Sequence, residues 1–145
     1  MAAAHYRYKT GTLTWTPDGG QAVNITGVVS IRFGVAGETT KLMSDASENV
    51  QELPLHSILA SGTVTTLSQV AAELVLGAGV LAWTMEQVKT GRGAVSGEDK
   101  DVSLPNAVLR AIDSGAGSQP GENTTLAFEG AEDDNGDTLV IGDAA

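Results

Sequence analysis

Apolar and polar residues alternate along most of this chain at a spacing of two, the period of a strand with one buried face. Tyr6, Tyr8, Thr10, Thr12, Thr14 and Thr16 alternate with Arg7, Lys9, Gly11, Leu13 and Trp15, and their β-branched and aromatic content predicts a strand over 6–16. Thr16-Pro17-Asp18-Gly19-Gly20 reads as a turn, because proline presets φ and glycine supplies positive φ. A second strand is expected from Val23 to Phe33, with Val29, Ile31 and Phe33 on one face and Gly27 marking a bulge. Gly34-Val35-Ala36-Gly37 then looks like a turn, Glu38–Met43 allows a short strand, and residues 34–54 as a whole read as a long excursion between two sheet strands. A loop of that length in a compact domain is usually functional, or disordered when free. The pattern resumes in Ser61–Leu67, a clear strand. Ser68 is placed to cap a helix of about ten residues with Val70, Ala71, Leu74 and Val75 on one face. Gly77-Ala78-Gly79 is expected to end that helix.

Val80–Val88 predicts another strand, with Leu81, Trp83, Met85 and Gln87 sharing a face. Thr90-Gly91-Arg92-Gly93 turns the chain, Ala94-Val95 starts a partner strand, and Ser96–Asp101 is a charged loop. Val102, Leu104, Leu109 and Ile112 bracket Pro105-Asn106 in the next strand, where proline implies an edge or a bulge. Asp113–Glu122 is a Gly/Ser/Pro loop, Asn123–Glu129 alternates with Thr124, Leu126 and Phe128 on one side, and a last strand is expected at Thr138–Ile141. The expectation is a mainly β fold, a sandwich or barrel of about seven or more strands with one short flanking α-helix. It forms a single domain over 1–145, with an N-terminal arm at 1–9, the loop at 34–54 and an acidic C-terminal segment at 130–145. Such strands leave edges that a monomer must blunt and an oligomer can use.

Composition and charge narrow the function classes. With 41% hydrophobic but only 4% aromatic residues, the core must rest on Val, Leu, Ile and Ala. Eight Lys and Arg against eighteen Asp and Glu give a net charge of −10, which argues against a sequence-independent nucleic-acid binder and against docking on anionic membranes. The absence of cysteine excludes disulfides, Cys-based zinc sites and a thiol nucleophile. The longest apolar stretch runs from Val70 to Trp83 and holds Glu73, short of the ~20 residues of a spanning helix. With no apolar segment among the first nine residues, the expectation is a soluble intracellular chain. His5, Arg7 and Lys9 at one terminus face an acidic set at the other: Glu132, Asp133, Asp134, Asp137 and Asp143. These are either two solvated ends or complementary ends that meet head to tail in an assembly.

Catalytic patterns are weak. His5 and His56 are the two histidines, and no Gly-x-Ser-x-Gly elbow frames a nucleophile. Gly77-Ala78-Gly79, Gly91-Arg92-Gly93 and Gly115-Ala116-Gly117 lack the spacings that cradle phosphate and read as turns. Asp133, Asn135 and Asp137 have the opening spacing of a calcium loop. Thr138 stands where that loop needs glycine, and Ala144 where it needs a bidentate carboxylate, so a solvated turn is the better reading. Glu98, Asp99 and Asp101 lie in a hydrophilic loop with Lys100, which gives no support for an acid/base role. The expectation is a protein without enzymatic activity, metal or cofactor. Trp15 and Trp83 read as core anchors, or as sugar platforms if the chain is a decoration or carbohydrate-binding module of a virion.

The order of these features resembles a known family. Ser61-Gly62-Thr63-Val64-Thr65-Thr66-Leu67 runs into a short helix, and a Gly-rich break leads to another strand. Val102-Ser103-Leu104-Pro105-Asn106-Ala107-Val108-Leu109, a Gly/Ser loop and Thr124-Thr125-Leu126-Ala127-Phe128-Glu129 then follow. Over roughly residues 10–130 this resembles the major tail tube proteins of long-tailed bacteriophages.

The resemblance implies a two-sheet sandwich with a helix, six subunits in a ring, and rings stacked into a hollow tube through which DNA passes. It implies a virion-tail location after assembly in the host cytoplasm. The implied partners are other copies of the chain and the tape measure, tail terminator and tail-tip or baseplate proteins, with a sheath if the tail contracts. The loop at 34–54, with Glu38, Lys41, Asp45, Glu48 and Glu52, would reach a neighbouring ring. An acidic lumen would let DNA slide without specific binding, and Glu86 and Glu129, at outward strand positions, are the candidate lumen-lining residues.

Overall fold

The computed structural model describes residues 8–43, 49–87, 99–115 and 123–143. Its strands are β1 (Tyr8–Pro17), β2 (Val23–Ile25), β3 (Val28–Thr39), β4 (Leu55–Thr66), β5 (Gly77–Gln87), β6 (Lys100–Ser114), β7 (Thr124–Gly130) and β8 (Val140–Asp143). One helical turn, α1 (Gln69–Ala72), separates β4 from β5. All strand pairs are antiparallel in the order β2-β1-β5-β6-β7-β4-β3, with β8 on β6. The mainly β expectation with one short helix holds. The expected partner strand at Ala94-Val95 and residues 1–7 of the N-terminal arm lie outside the described residues.

The sheet curls over its own apolar face. Phe33 on β3 and Trp83 on β5 are four strand positions apart, ~19 Å in a flat sheet, yet their ring centroids lie 5.1 Å apart. Trp15 on β1 and Phe128 on β7 meet at 5.0 Å in the same way. The alternation that predicted these strands points Leu13, Trp15, Leu81, Trp83, Leu126 and Phe128 into this core.

Several expected elements take a different form, each for a local reason. The strand expected over Val23–Phe33 is two strands. Gly27, at φ +64, turns the chain between them, so β2 pairs with β1 at one edge of the sheet and β3 with β4 at the other. The helix spans four residues, not about ten. Ser68 makes no side-chain capping bond, and Thr66 Oγ1 accepts from the Ser68 N–H instead at 3.1 Å. Gly77-Ala78-Gly79 opens β5 and does not end a helix. Gly79 is buried where a Cβ would lie 2.9 Å from Trp15 Cη2 and collide with the Thr16 carbonyl, so glycine permits the close pairing with β1.

Pro105 occupies a bulge in a central strand. Gly79 pairs with Ala107 but Leu81 pairs with Leu104, so Pro105-Asn106 carries the extra residue. That residue shifts the buried positions from Val102 and Leu104 to Ala107 and Leu109. On the other edge of β6, β8 pairs with residues 100–103 and β7 with 107–114, so the proline falls between two ladders. Asn106 Nδ2 donates to the Glu132 carbonyl at 2.9 Å, and the Ala131 N–H donates to the Asn106 carbonyl at 2.9 Å. The acidic C-terminal segment is thereby held against the sheet before it returns as β8. The loops expected at Ser96–Asp101 and Asp113–Glu122 are shorter among the described residues, because Lys100, Asp101, Asp113 and Ser114 belong to β6.

The described residues of 34–54 are largely ladder, and the turn expected at Gly34–Gly37 is part of β3. Gly34–Thr39 pairs with Leu55–Ser61 in β4, and hydrogen bonds from Thr40 N–H to the Pro54 carbonyl and from Leu42 N–H to the Glu52 carbonyl carry the ribbon further. The polar composition hid the extent of this pairing beyond the short strand read at Glu38–Met43, because backbone pairing needs no apolar side chain.

Candidate assembly surfaces

From Gly34 to Leu59 the β3–β4 ribbon projects past the core, whose last β4 member is Ala60. A one-residue register shift between Ala36 and Glu38, with Ser57 at φ 55, bends the ribbon near its base. Its tip exposes apolar side chains: Leu42 at 44%, Met43 at 57%, Leu53 at 56% and Leu55 at 60%. Val35, Val50, Ile58 and Leu59 are also exposed along it. A two-stranded ribbon is marginally stable alone in water, and exposed apolar side chains grouped on one element are what an interaction surface requires. Of the charged residues read from this segment, Glu38, Lys41 and Glu52 sit exposed on the ribbon, with Glu38 opposite His56 and Glu52 bridged to Leu42. Asp45 and Glu48 lie outside the described residues.

A second apolar patch lies at the other end of β4. Val70 and Val75, expected on a buried helical face, are 49% and 80% exposed because the helix stops at Ala72. Only Ala71 and Leu74 of that set reach the core. Leu67, Leu76 and Val29 are exposed beside them. Neither patch was recognised from sequence. Its signal was there, in Leu42, Met43, Val50 and Leu53 within an otherwise polar stretch.

The sheet also keeps free edges. Among the described residues β3 is hydrogen-bonded to a strand on one side only, with the start of β1 close to its first residues. β2 covers β1 only at Leu13–Trp15, which leaves a groove of about 580 Å³ lined by Lys9–Leu13, Asn24–Val28 and Glu86.

Glu86 and Glu129 both point away from the core, and each sits beside a base. Lys9 Nζ is 3.4 Å from Glu86 Oε2, and Arg110 Nε is 3.1 Å from Glu129 Oε1. The two acids are not brought together. Glu129 is level with Val108 and thus with Ala78, eight residues or ~26 Å along β5 from Glu86. Each ion pair is locally neutral, so neither position adds an uncompensated negative charge to its face.

His56 Nε2 shares a hydrogen bond with Thr40 Oγ1 at 2.9 Å and its Nδ1 with Ser57 Oγ at 3.0 Å, all exposed on the ribbon, and no carboxylate orients the ring among these contacts. Asp133 Oδ1 accepts from the N–H groups of Asn135 and Asp137, both at 2.8 Å, which makes the expected turn of this acidic segment. Among the described residues no group of three or more His, Asp or Glu is placed to hold a metal ion, and no helix is long and apolar enough to cross a membrane. Trp15 and Trp83 are 1% and 2% exposed, so neither offers a ring to a sugar.

No protein-family model matches the chain, and no curated protein matches it. Among solved structures it is similar to a chain in the tail of an empty gene transfer agent (GTA) particle, reconstructed by helical refinement with C6 symmetry. The match has a TM-score of 0.50 at 19% identity and covers 92% of this chain and 95% of that one. A likeness at this identity concerns the fold alone: the curled antiparallel sheet described above is similar to that of a chain in the tail of a GTA particle.

Proposed function

We propose that this protein is a structural subunit of a phage-like tail, the tube subunit, which forms six-membered rings that stack around a channel for DNA. The observation that carries the reading is the β3–β4 ribbon, which leaves the core bearing several exposed apolar side chains of the kind a partner covers. The outer edge of β3, which has no paired strand among the described residues, supports it, because such an edge is a template for pairing with another copy. The C6 symmetry of the tail that shares the fold supports the six-fold ring. The role is mechanical and not catalytic, with tape measure, terminator, tail-tip and sheath proteins as further contacts in a virion tail. Decoration or sugar binding gains nothing from two buried tryptophans.

Electron microscopy of the purified protein, with light scattering over a concentration series, tests this. Rings or tubes of uniform diameter are expected. A protein that stays monomeric at high concentration, also with a nucleating tail tip present, would refute the reading. The same preparation should not retard duplex DNA at physiological salt, since eight basic residues in the whole chain offer few phosphate contacts.

A further inference from the structure

We infer that Asn135-Gly136 is a latent self-modification site, at which the Asn135 side chain is converted to a carboxylate once the turn clasped by Asp133 opens. The inference is independent of the tube reading. Of the five asparagines in the chain, Asn135 alone precedes glycine. The Gly136 nitrogen is the nucleophile, and glycine leaves the approach to it unobstructed because it has no Cβ. That nitrogen attacks the side-chain carbonyl carbon of Asn135. A C–N bond forms and closes a succinimide ring, the bond to the side-chain nitrogen breaks, and ammonia leaves with the proton given up by the Gly136 nitrogen. Water then opens the ring at either of its carbonyl carbons and leaves aspartate or isoaspartate. Each event adds a negative charge, and isoaspartate lengthens the backbone by a methylene on the approach to β8.

In the folded chain the geometry holds this reaction back. Asn135 and Gly136 are exposed, so water reaches both. The Gly136 N–H, however, donates to the Asp133 carbonyl at 3.1 Å, which makes Asn135 the third residue of a hydrogen-bonded turn. Its φ is negative, and a residue at that place in such a turn has ψ near ~0°. Ring closure needs the Gly136 nitrogen eclipsed with the Asn135 Cβ, a rotation about the Cα–C bond that breaks the turn. Asp133 resists that rotation. Its Oδ1 accepts from the Asn135 and Asp137 N–H groups, both at 2.8 Å, and its own N–H donates to the Asp137 carbonyl at 3.0 Å. Negative charge adds to the restraint. Glu132 Oε1 lies 3.6 Å from where a Cβ on Gly136 would sit, and exposed Asp134 and Asp137 flank the pair. Such charge disfavours the nitrogen anion that starts the attack. Asp133 is thus a positioning residue that keeps the nucleophile turned away.

Peptide mass mapping at mildly alkaline pH, with fragmentation to place the change, reads amide loss at residue 135 against time. It is applied to the native protein, to the same chain unfolded in urea, and to two variants whose urea midpoints show that they are folded. The unfolded chain should convert at least about tenfold faster than the native protein, because the folded chain reacts only through the fraction whose turn is open. Asp133→Ala removes the acceptor of two hydrogen bonds and should convert about threefold faster than the native protein or more. Asp133→Asn keeps an oxygen in the same place and should stay near the native rate. A native protein that converts as fast as the unfolded chain, or an Asp133→Ala variant that matches the native rate, overturns the guarding role of the turn. An unfolded chain in which Asn135 keeps its amide as long as the other asparagines do overturns the site itself.

Discussion

At Gly79 the chain has no room for a methyl group. The added Cβ would meet backbone as well as the Trp15 ring, and neither moves without disturbing the β1–β5 ladder. Gly79→Ala is therefore expected to destabilise the fold by about 1–3 kcal/mol, the range for overpacking a tight site, read as a lower urea midpoint with an unchanged slope. Thr66 is the second position where one side chain does several jobs. Its buried hydroxyl donates to the Thr26 carbonyl at 2.6 Å and accepts from the Ser68 N–H. Thr66→Val keeps the shape and strands both partners, so a cost of about 1–3 kcal/mol is expected in the same measurement. The Lys9–Glu86 and Arg110–Glu129 pairs are about half exposed, and neutralising either acid as Gln should shift stability by less than about 1 kcal/mol. Stability and surface charge are thus separable here, and charge variants at Glu86 and Glu129 can be made without loss of the fold.

Among the elements, the ribbon and the helical turn depart most from their patterns. The ribbon's hydrogen bonds run as far as Leu42 and Glu52 with no core beneath them. Opening such a ladder requires little apolar surface to be exposed, so its amides are expected to exchange fast in the free subunit. Assembly that covers Leu42, Met43, Leu53 and Leu55 should slow them by orders of magnitude. Hydrogen exchange on free protein and on tubes compares the two states directly. Equal protection at Thr40, Leu42 and Glu52 in both would remove the ribbon from the interface. The helix shows the opposite case. Its short length leaves Val70 and Val75 outside, and that exposure provides the second apolar surface.

For the whole molecule, net charge and the placement of charge act differently. The chain carries −10 overall, yet the two outward acids expected to line a channel are each matched by a base. If these strands face the channel, the wall at those points is close to neutral, and like-charge repulsion of DNA must come from the unmatched acids elsewhere. Reversing Glu86 and Glu129 to Lys places two bases together at each site. With that face in the channel, tubes should still form while DNA ejection slows. Normal ejection by the double variant would put these positions on the outside of the tube.

The inward sets of β1, β5 and β7 were legible from sequence because sidedness in a strand is a local property. Residues two apart share a face wherever the strand is placed, which is why Leu13 with Trp15, Leu81 with Trp83, and Leu126 with Phe128 were correctly grouped. The bulge at Pro105 was legible for a similar reason, since a missing N–H cannot serve a continuous ladder. Pairing was not legible. Whether Gly27 interrupts one strand or sends its two halves to opposite edges depends on which strands stand there, and those come from β1 and from β4. Of the ribbon only a short strand at Glu38–Met43 was legible; the rest was read as a turn and loop because its stability is in backbone bonds between residues apart in sequence, which leave no periodic trace. The exposure of Val70 and Val75, and the bases beside Glu86 and Glu129, were likewise decided by register and packing. Period and propensity act between neighbours in the chain, whereas edges, patches and ion pairs act between neighbours in space.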